Sequence, residues 1–280
     1  MNRLHDQHLH SRHSFDSGAD PAENCLAAIH KGLAGLTFTE HYDRHPTEWP
    51  NCRFDYGKIS ETIAACRERF GERIFVGKGI EVCYQPEQMT AILDFLENHA
   101  FDLVILSVHW SAGRSLYDRE SWAGRWQQRT REYLTTVLEA GRFCQRRREA
   151  GEKPFDVLGH LDLAKRYSVR FCGTHDLHAH ADLVDEILRT CIAADLAPEI
   201  NTSTLRQGLD EPMPAEWVVG RYVELGGRYI TLGSDAHTSG NIGADLPRAA
   251  RMIQDAGLRH LSVFRGREPH GVPLQEQADK

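Results

Sequence analysis

Histidines and carboxylates recur in this chain at the points where short apolar runs end. From the N-terminus they are His8-Leu9-His10, Glu40-His41, Glu81, His109, His160 and Asp235-Ala236-His237, with Asn201 at the corresponding place in between. Imidazole and carboxylate together are a donor set for divalent metal ions. On an extended strand, residues i and i+2 project to the same side, so His8 and His10 can reach one ion. Asp235 and His237 share that parity. Because the chain has 16 histidines, one such pair alone means little. A contrast is His178-Ala179-His180, which adjoins a predicted helix. There the two rings would point about 200° apart and are not expected to share a metal.

Residues this far apart meet only if the elements carrying them converge. The runs read as strands are 4–9, 33–38, 74–79, 102–107, 155–158, 198–201 and 228–232, with a last one at 260–264. Helix signals lie between them. Asp20-Pro21-Ala22-Glu23 reads as an N-cap, a proline at the first helical position and a carboxylate at the third. Asp55 is a candidate cap for a helix ending near Gly71, with the glycine left-handed. Pro86 opens another helix, a long one is expected over 118–151, and 182–196, 214–225 and 246–256 complete the set. Such alternation predicts a parallel sheet covered by helices, and seven or eight units favour closure into a barrel. The ligand-bearing strand ends then gather at one mouth. With no low-complexity linker, residues 1–280 are read as a single domain, the last strand and tail occupying about 258–280. Segment 42–54, aromatic and polar with two prolines, is expected to be a loop near the substrate.

Composition narrows the class. The 280 residues are 41% hydrophobic and 26% charged, ordinary globular usage. A net charge of −7 makes extended nucleic acid an unexpected partner. The seven cysteines are scattered and never spaced as CxxC, which fits a reducing cytoplasm. The N-terminus lacks an apolar signal-like region, and no apolar run approaches the length of a membrane span, so neither is expected. The Arg-rich run 142–148 reads as a solvated helix face.

The segment Asp6-Gln7-His8-Leu9-His10-Ser11-Arg12-His13-Ser14 resembles the opening DxHxHxxxS motif of the polymerase and histidinol phosphatase (PHP) superfamily. Thr39-Glu40-His41, Gly79-Ile80-Glu81, Ser107-Val108-His109, Gly159-His160 and Gly233-Ser234-Asp235-Ala236-His237 resemble its later motifs in order, over residues 6 to 237. The resemblance implies a distorted (β/α)7 barrel and a trinuclear metal centre. It implies a first ion held by His8, His10, Glu81 and Asp235, and a second by Glu81, His109 and His160. A third takes Asp16, His41 and His237, although some members carry histidine where Asp16 stands, and a solvated loop carboxylate is its alternative. The ions are zinc, iron or manganese, which mixed donors do not distinguish. Within the superfamily, His160-Leu161-Asp162-Leu163 and Glu199-Ile200-Asn201-Thr202-Ser203 with Arg206 are similar to the stand-alone histidinol-phosphate phosphatases.

The implied chemistry is hydrolysis of a phosphate monoester, in the first place L-histidinol phosphate in histidine biosynthesis. Three carboxylates against three divalent ions leave a surplus of about +3, which attracts a phosphate dianion. Such ions lower the pKa of water from about 15.7 towards about 7, making hydroxide available at neutral pH. Arginine's planar fork suits the phosphate oxygens, and Arg166 and Arg206 are the candidates, with Lys165 as alternative to the former. Asp162 is the candidate general acid, and Asp6 a candidate partner orienting an imidazole. His13 adjoins the first motif, and Trp49 and Trp110 are alternatives between packing and stacking on a substrate ring. Two competing readings remain: a PHP phosphoesterase for nucleotides or oligonucleotide ends, and a non-catalytic metal-binding or interaction module.

Overall fold

The computed structural model describes residues 4–274. Seven parallel strands form one sheet in the order β1 (His5–Leu9), β2 (Gly35–Tyr42), β3 (Phe75–Cys83), β4 (Leu103–Ser107), β7 (Val157–Leu158), β8 (Ala197–Asn201) and β9 (Thr231–Gly233). Between β4 and β7 a two-residue hairpin, β5 (Trp110–Ser111) and β6 (Arg114–Ser115), stands apart from the sheet. The seam between β1 and β9 is joined just past β9: Asp235 N donates to His8 O at 2.7 Å, and His10 N to Ala236 O at 2.8 Å. A bulge between Asp6 and Leu9 distorts β1 beside that seam. The result is a nearly closed, distorted (β/α)7-type barrel.

The helices on its outside are α1 (Pro21–His30), α2 (Tyr56–Phe70), α3 (Met89–Glu97), α4 (Trp126–Glu149), α5 (Ala164–Cys172), α6 (Ala181–Ala193), α7 (Glu216–Glu224) and α8 (Leu246–Asp255). Asp20 caps α1 through the N–H groups of Ala22 and Glu23, with Pro21 in the first turn. Strand residues of one parity, such as Leu36, Phe38, Val104, Leu106 and Ile200, belong to the large core shared with the helices. Residues of the other parity face the barrel axis. There Leu103, Ile105, Val157 and Ala197 form a separate buried cluster with Phe264.

Four expectations are corrected. The strand at 260–264 does not enter the barrel. As β10 (His260–Arg265) it pairs antiparallel with β11 (Glu268–Pro273), and the Gln7 side chain ties it to β1 through Ser262 O and Phe264 N. Residues 275–280 of the expected tail lie outside the described residues. The long helix over 118–151 is two pieces: Asp118 caps a short turn at Arg119–Trp122, Gly124 turns at φ +65°, and α4 begins at Trp126. Gly71 is right-handed at φ −61°, its N–H continuing the helical ladder to Arg67 O. Pro86 opens a 3-10 turn that leads into α3 rather than the α-helix itself. Among the described residues, no helix is long and apolar enough to cross a membrane. All seven cysteines are free.

Candidate metal centre

Glu81, 1% exposed near the end of β3, is the hub of the barrel mouth. Its register partners are His41 on β2 and Ile105 on β4, so it points along the axis with the ligand-bearing parity. One oxygen, Oε2, lies 3.3 Å from His8 Nε2, 3.5 Å from His10 Nε2 and 2.9 Å from His41 Nδ1. The other, Oε1, lies 3.3 Å from His109 Nε2 and 2.9 Å from His160 Nε2. Asp235 Oδ1 completes the first group at 3.4 Å from His10 Nε2 and 4.0 Å from His8 Nε2. Asp16 Oδ2 sits 3.4 Å from His41 Nε2 and 3.1 Å from His237 Nε2. All nine residues expected at the centre are thus brought together. The pair His178 and His180 is not among them; His178 instead stacks on Trp217.

Two of these residues hold costly backbone: His160 at φ +22° and Asp235 at φ +52°. At the second, Arg206 Nη2 braces the turn by donating to Ser234 O at 2.7 Å and Asp235 O at 3.3 Å. The neighbouring Gly233 is required for space, since a Cβ there would lie 2.1 Å from Glu199 Oε1 and 2.4 Å from His8 Cβ.

The charges support one another. Burial alone would raise Glu81, but His8, His41 and His109 hold it well below the usual carboxylate range. Burial lowers His8 and His41, yet Glu199 and Glu81 lift the first, and Glu81 and Asp16 the second, well above the usual imidazole value. His10 is pushed down to about 3 by burial and by His41 and His237. The donor set fits divalent ions. His8 Nε2, His10 Nε2 and Glu81 Oε2 are buried without a hydrogen-bond partner. Donor atoms of His8, His10 and Glu81, of His41, Glu81 and His109, and of His10, His41 and His237 lie within 4.8 Å of one another in each group. Asp43, Cys83 and His109 form a further such group, in which burial and then the Asp43 carboxylate push the Cys83 thiol up.

Several motif residues to which the sequence assigns no role orient the ligands. Glu199, inward-facing on β8, accepts from His8 Nδ1 at 2.7 Å and from His160 N at 2.9 Å. It opens the motif Glu199-Ile200-Asn201-Thr202-Ser203 and shares the parity of Asn201 on β8. Ser14 Oγ contacts His10 Nδ1 at 3.1 Å and donates to Glu40 Oε2 at 2.6 Å, while Ser107 Oγ donates to Glu81 Oε1 at 2.6 Å. Asp6 does not orient an imidazole. It is spent on Ser234 N, Ser234 Oγ and Gly243 N, closing the seam of the barrel.

Arg166 Nη2 donates to Ser203 Oγ and to Asp235 Oδ2 at 3.2 Å, so it stands beside the cluster. Lys165 does not replace it; its ammonium is buried against Asp162 at 2.9 Å and Glu211 at 3.0 Å. The same lysine faces Asp162, whose carboxyl is raised by burial against the pull of Lys165. His13 bonds Thr62 Oγ1 at 2.9 Å, away from the metal residues. Trp49 packs on Tyr42, whereas Trp110 lines the mouth.

A cavity of about 300 Å³ opens on the cluster, lined by Asp16, His41, His109, Asp43, Glu48 and Trp110, among others. On the other side of Tyr117 a cavity of about 520 Å³ is lined by Arg166, Arg170, Gln207 and His237. The cluster therefore lies between an acidic and a basic recess.

Residues 6–203 match the family model described as PHP domain. A histidinol-phosphatase of Lactococcus lactis subsp. lactis is 28% identical over 265 residues, covering 93% of this chain and 94% of its own. A Clostridium acetobutylicum protein named "Probable histidinol-phosphatase" is 30% identical over 260 residues, covering 91% and 94%. A crystal structure of the Lactococcus lactis histidinol phosphate phosphatase complexed with zinc, L-histidinol and phosphate matches with a TM-score of 0.84 at 26% identity. That match spans 96% of this chain and 99% of the other.

Proposed function

The chain belongs to the PHP domain family, and we propose that it is a metal-dependent phosphomonoesterase that hydrolyses L-histidinol phosphate to L-histidinol and phosphate. The observation that carries the reading is the convergence of six imidazoles and three carboxylates around Glu81, between recesses of opposite charge. His8, His10, Glu81 and Asp235 would hold one divalent ion, Glu81, His109 and His160 a second, and Asp16, His41 and His237 a third. When bound, such ions supply Lewis acidity, lowering the pKa of water and offsetting phosphate charge.

The protein's own groups do the rest. Arg166, which lines the basic recess beside Asp235, offers donors to the non-bridging oxygens of the ester. Arg206, in the turn Ser203–Gln207 after β8, reaches the same side of the cluster through its bonds to Ser234 O and Asp235 O. At the other recess the Asp43 and Glu48 carboxylates complement an ammonium or imidazolium, which L-histidinol phosphate carries and a nucleotide lacks. Glu199 accepts the Nδ1 proton of His8 and so keeps its Nε2 lone pair turned to the cluster.

The test is phosphate release by protein reloaded with manganese, iron or zinc, with His10→Ala as control. Selective turnover of L-histidinol phosphate over nucleotide monophosphates and p-nitrophenyl phosphate, lost in the variant, supports the reading. Equal or faster turnover of nucleotides would move the substrate, and no metal-dependent release would refute the activity.

A further inference from the structure

We propose that Arg129, on α4 and outside the metal cluster, is a positioning residue that holds the β5–β6 hairpin as the wall of the substrate cavity and thereby sets how tightly the organic part of the substrate is bound. The proposal rests on the monoesterase reading above for its substrate. Arg129 is 2% exposed, and its donors converge on one short segment. Nη1 donates to Ser111 O at 2.8 Å and Ser111 Oγ at 2.6 Å; Nη2 donates to Arg114 O at 2.9 Å and Ser115 O at 3.4 Å. Nε reaches Ser121 Oγ at 3.3 Å. Its paired carboxylate, Glu132, is 3.5 Å away and partly exposed, so the charge is compensated mainly by backbone carbonyls. Burying a guanidinium in this way is costly, and packing α4 by apolar contact would cost less. What the fork adds is a fixed shape for a turn whose central residues, Ala112 and Gly113, sit at φ +49° and +70°.

That turn is placed where its shape matters. It follows His109 directly, and Leu116 N returns to His109 O at 3.0 Å. Trp110 and Ser115 line the cavity that opens on the cluster, with Tyr117 beside them. On its other side, Trp110, Ser111, Ala112 and Gly113 line a neighbouring cavity of about 420 Å³. The indole of Trp110 already carries an imidazole, that of His45, with ring centroids 3.4 Å apart and planes within 14°. A shift of the hairpin would move this platform while most of the candidate ligands, carried by the other strands and turns, kept their places.

In the metal-loaded full-length protein, Arg129→Met is expected to raise KM for L-histidinol phosphate at least about tenfold, with kcat and metal content within about threefold of wild type. Turnover of glycerol phosphate, which has no ring to reach the wall, should change little. Trp110→Leu should give the same signature, and the double variant should be no worse than either alone. Independently of activity, amide exchange over residues 110–117 should quicken in the metal-free Arg129→Met protein while the barrel strands stay protected. Unchanged hairpin exchange, additive effects, or a fall in kcat accompanied by metal loss would overturn the assignment. Should Arg129→Met not fold, Arg129→Lys, which keeps the charge without the fork, is expected to show the same selective rise in KM. A wild-type protein inactive on L-histidinol phosphate would refute the proposed activity instead, leaving the exchange measurement to judge Arg129.

Discussion

Replacing Glu199 by glutamine changes one buried oxygen to an amide nitrogen, yet the surroundings leave that nitrogen nowhere to donate. Glu199 Oε1 accepts from His8 Nδ1 at 2.7 Å; Oε2 accepts from His160 N at 2.9 Å and from Asn201 Nδ2 at 3.3 Å. All three partners are donors when His8 Nε2 keeps its lone pair for a metal. If the amide faces His8, the ring must move its proton to Nε2 and blocks that lone pair. If it faces His160, the backbone of a strained position loses its acceptor. Loss of one charge-assisted hydrogen bond in a buried site is worth about 2 kcal/mol, or roughly thirtyfold weaker metal binding. The assay is a competition titration of metal-free protein against a chromogenic chelator with zinc and with manganese. Thermal unfolding of the metal-free protein serves as the control for folding. A folded Glu199→Gln variant whose affinity stays within about twofold of wild type would refute the orienting role.

Three further outcomes test other parts of the structure. Gly233→Ala should displace Glu199 or the β9 turn, because its Cβ would fall 2.1 Å from Glu199 Oε1, and should lose metal at equilibrium dialysis without global unfolding. His5, 3% exposed on β1, is held down from 6.5 to about 4 by burial and then by the Arg265 charge. The ring is neutral in both folded and unfolded chains above about pH 6.5; below it the unfolded chain protonates first, and stability falls until about pH 4. At pH 5 this amounts to at most about 2 kcal/mol, and His5→Gln should flatten that portion of the stability–pH curve in urea titrations. Arg267→Met would leave the fully buried Asp156 with Val104 N but without its cation, costing about 3 kcal/mol at neutral pH. Burial already raises Asp156 and the arginine opposes this, so the deficit should shrink on acidification as the carboxyl protonates, which unfolding at pH 7 and pH 5 would reveal.

Much of the architecture is legible locally because period-2 and helical patterns are local properties. Asp20 and Pro21 start α1 where a cap and a pre-set φ require it, and the alternation of elements predicts parallel strands under helices. Length of apolar run does not reveal pairing, so β10 looked like another barrel strand. It is an antiparallel hairpin strand because β11 follows within two residues and Gln7 claims its backbone. Nor does composition reveal a break within 118–151, where Gly124 turns left-handed ahead of α4.

At the metal centre the division is similar. Ligand types at strand ends, with i and i+2 pairs, are a property of each strand alone, so the residues that converge on Glu81 can be named from the sequence. Which group orients which ligand cannot. His8 and Glu199 are 191 residues apart and meet only because β1 and β8 flank β9 in a curved sheet. Asp6 has the right chemistry and sequence proximity, yet the donors of a backbone turn take it first. A single chain thus determines which donors stand at the barrel mouth. Closure of the barrel decides which hydrogen-bond partner each can reach, because that choice depends on distances between strands rather than spacing along them.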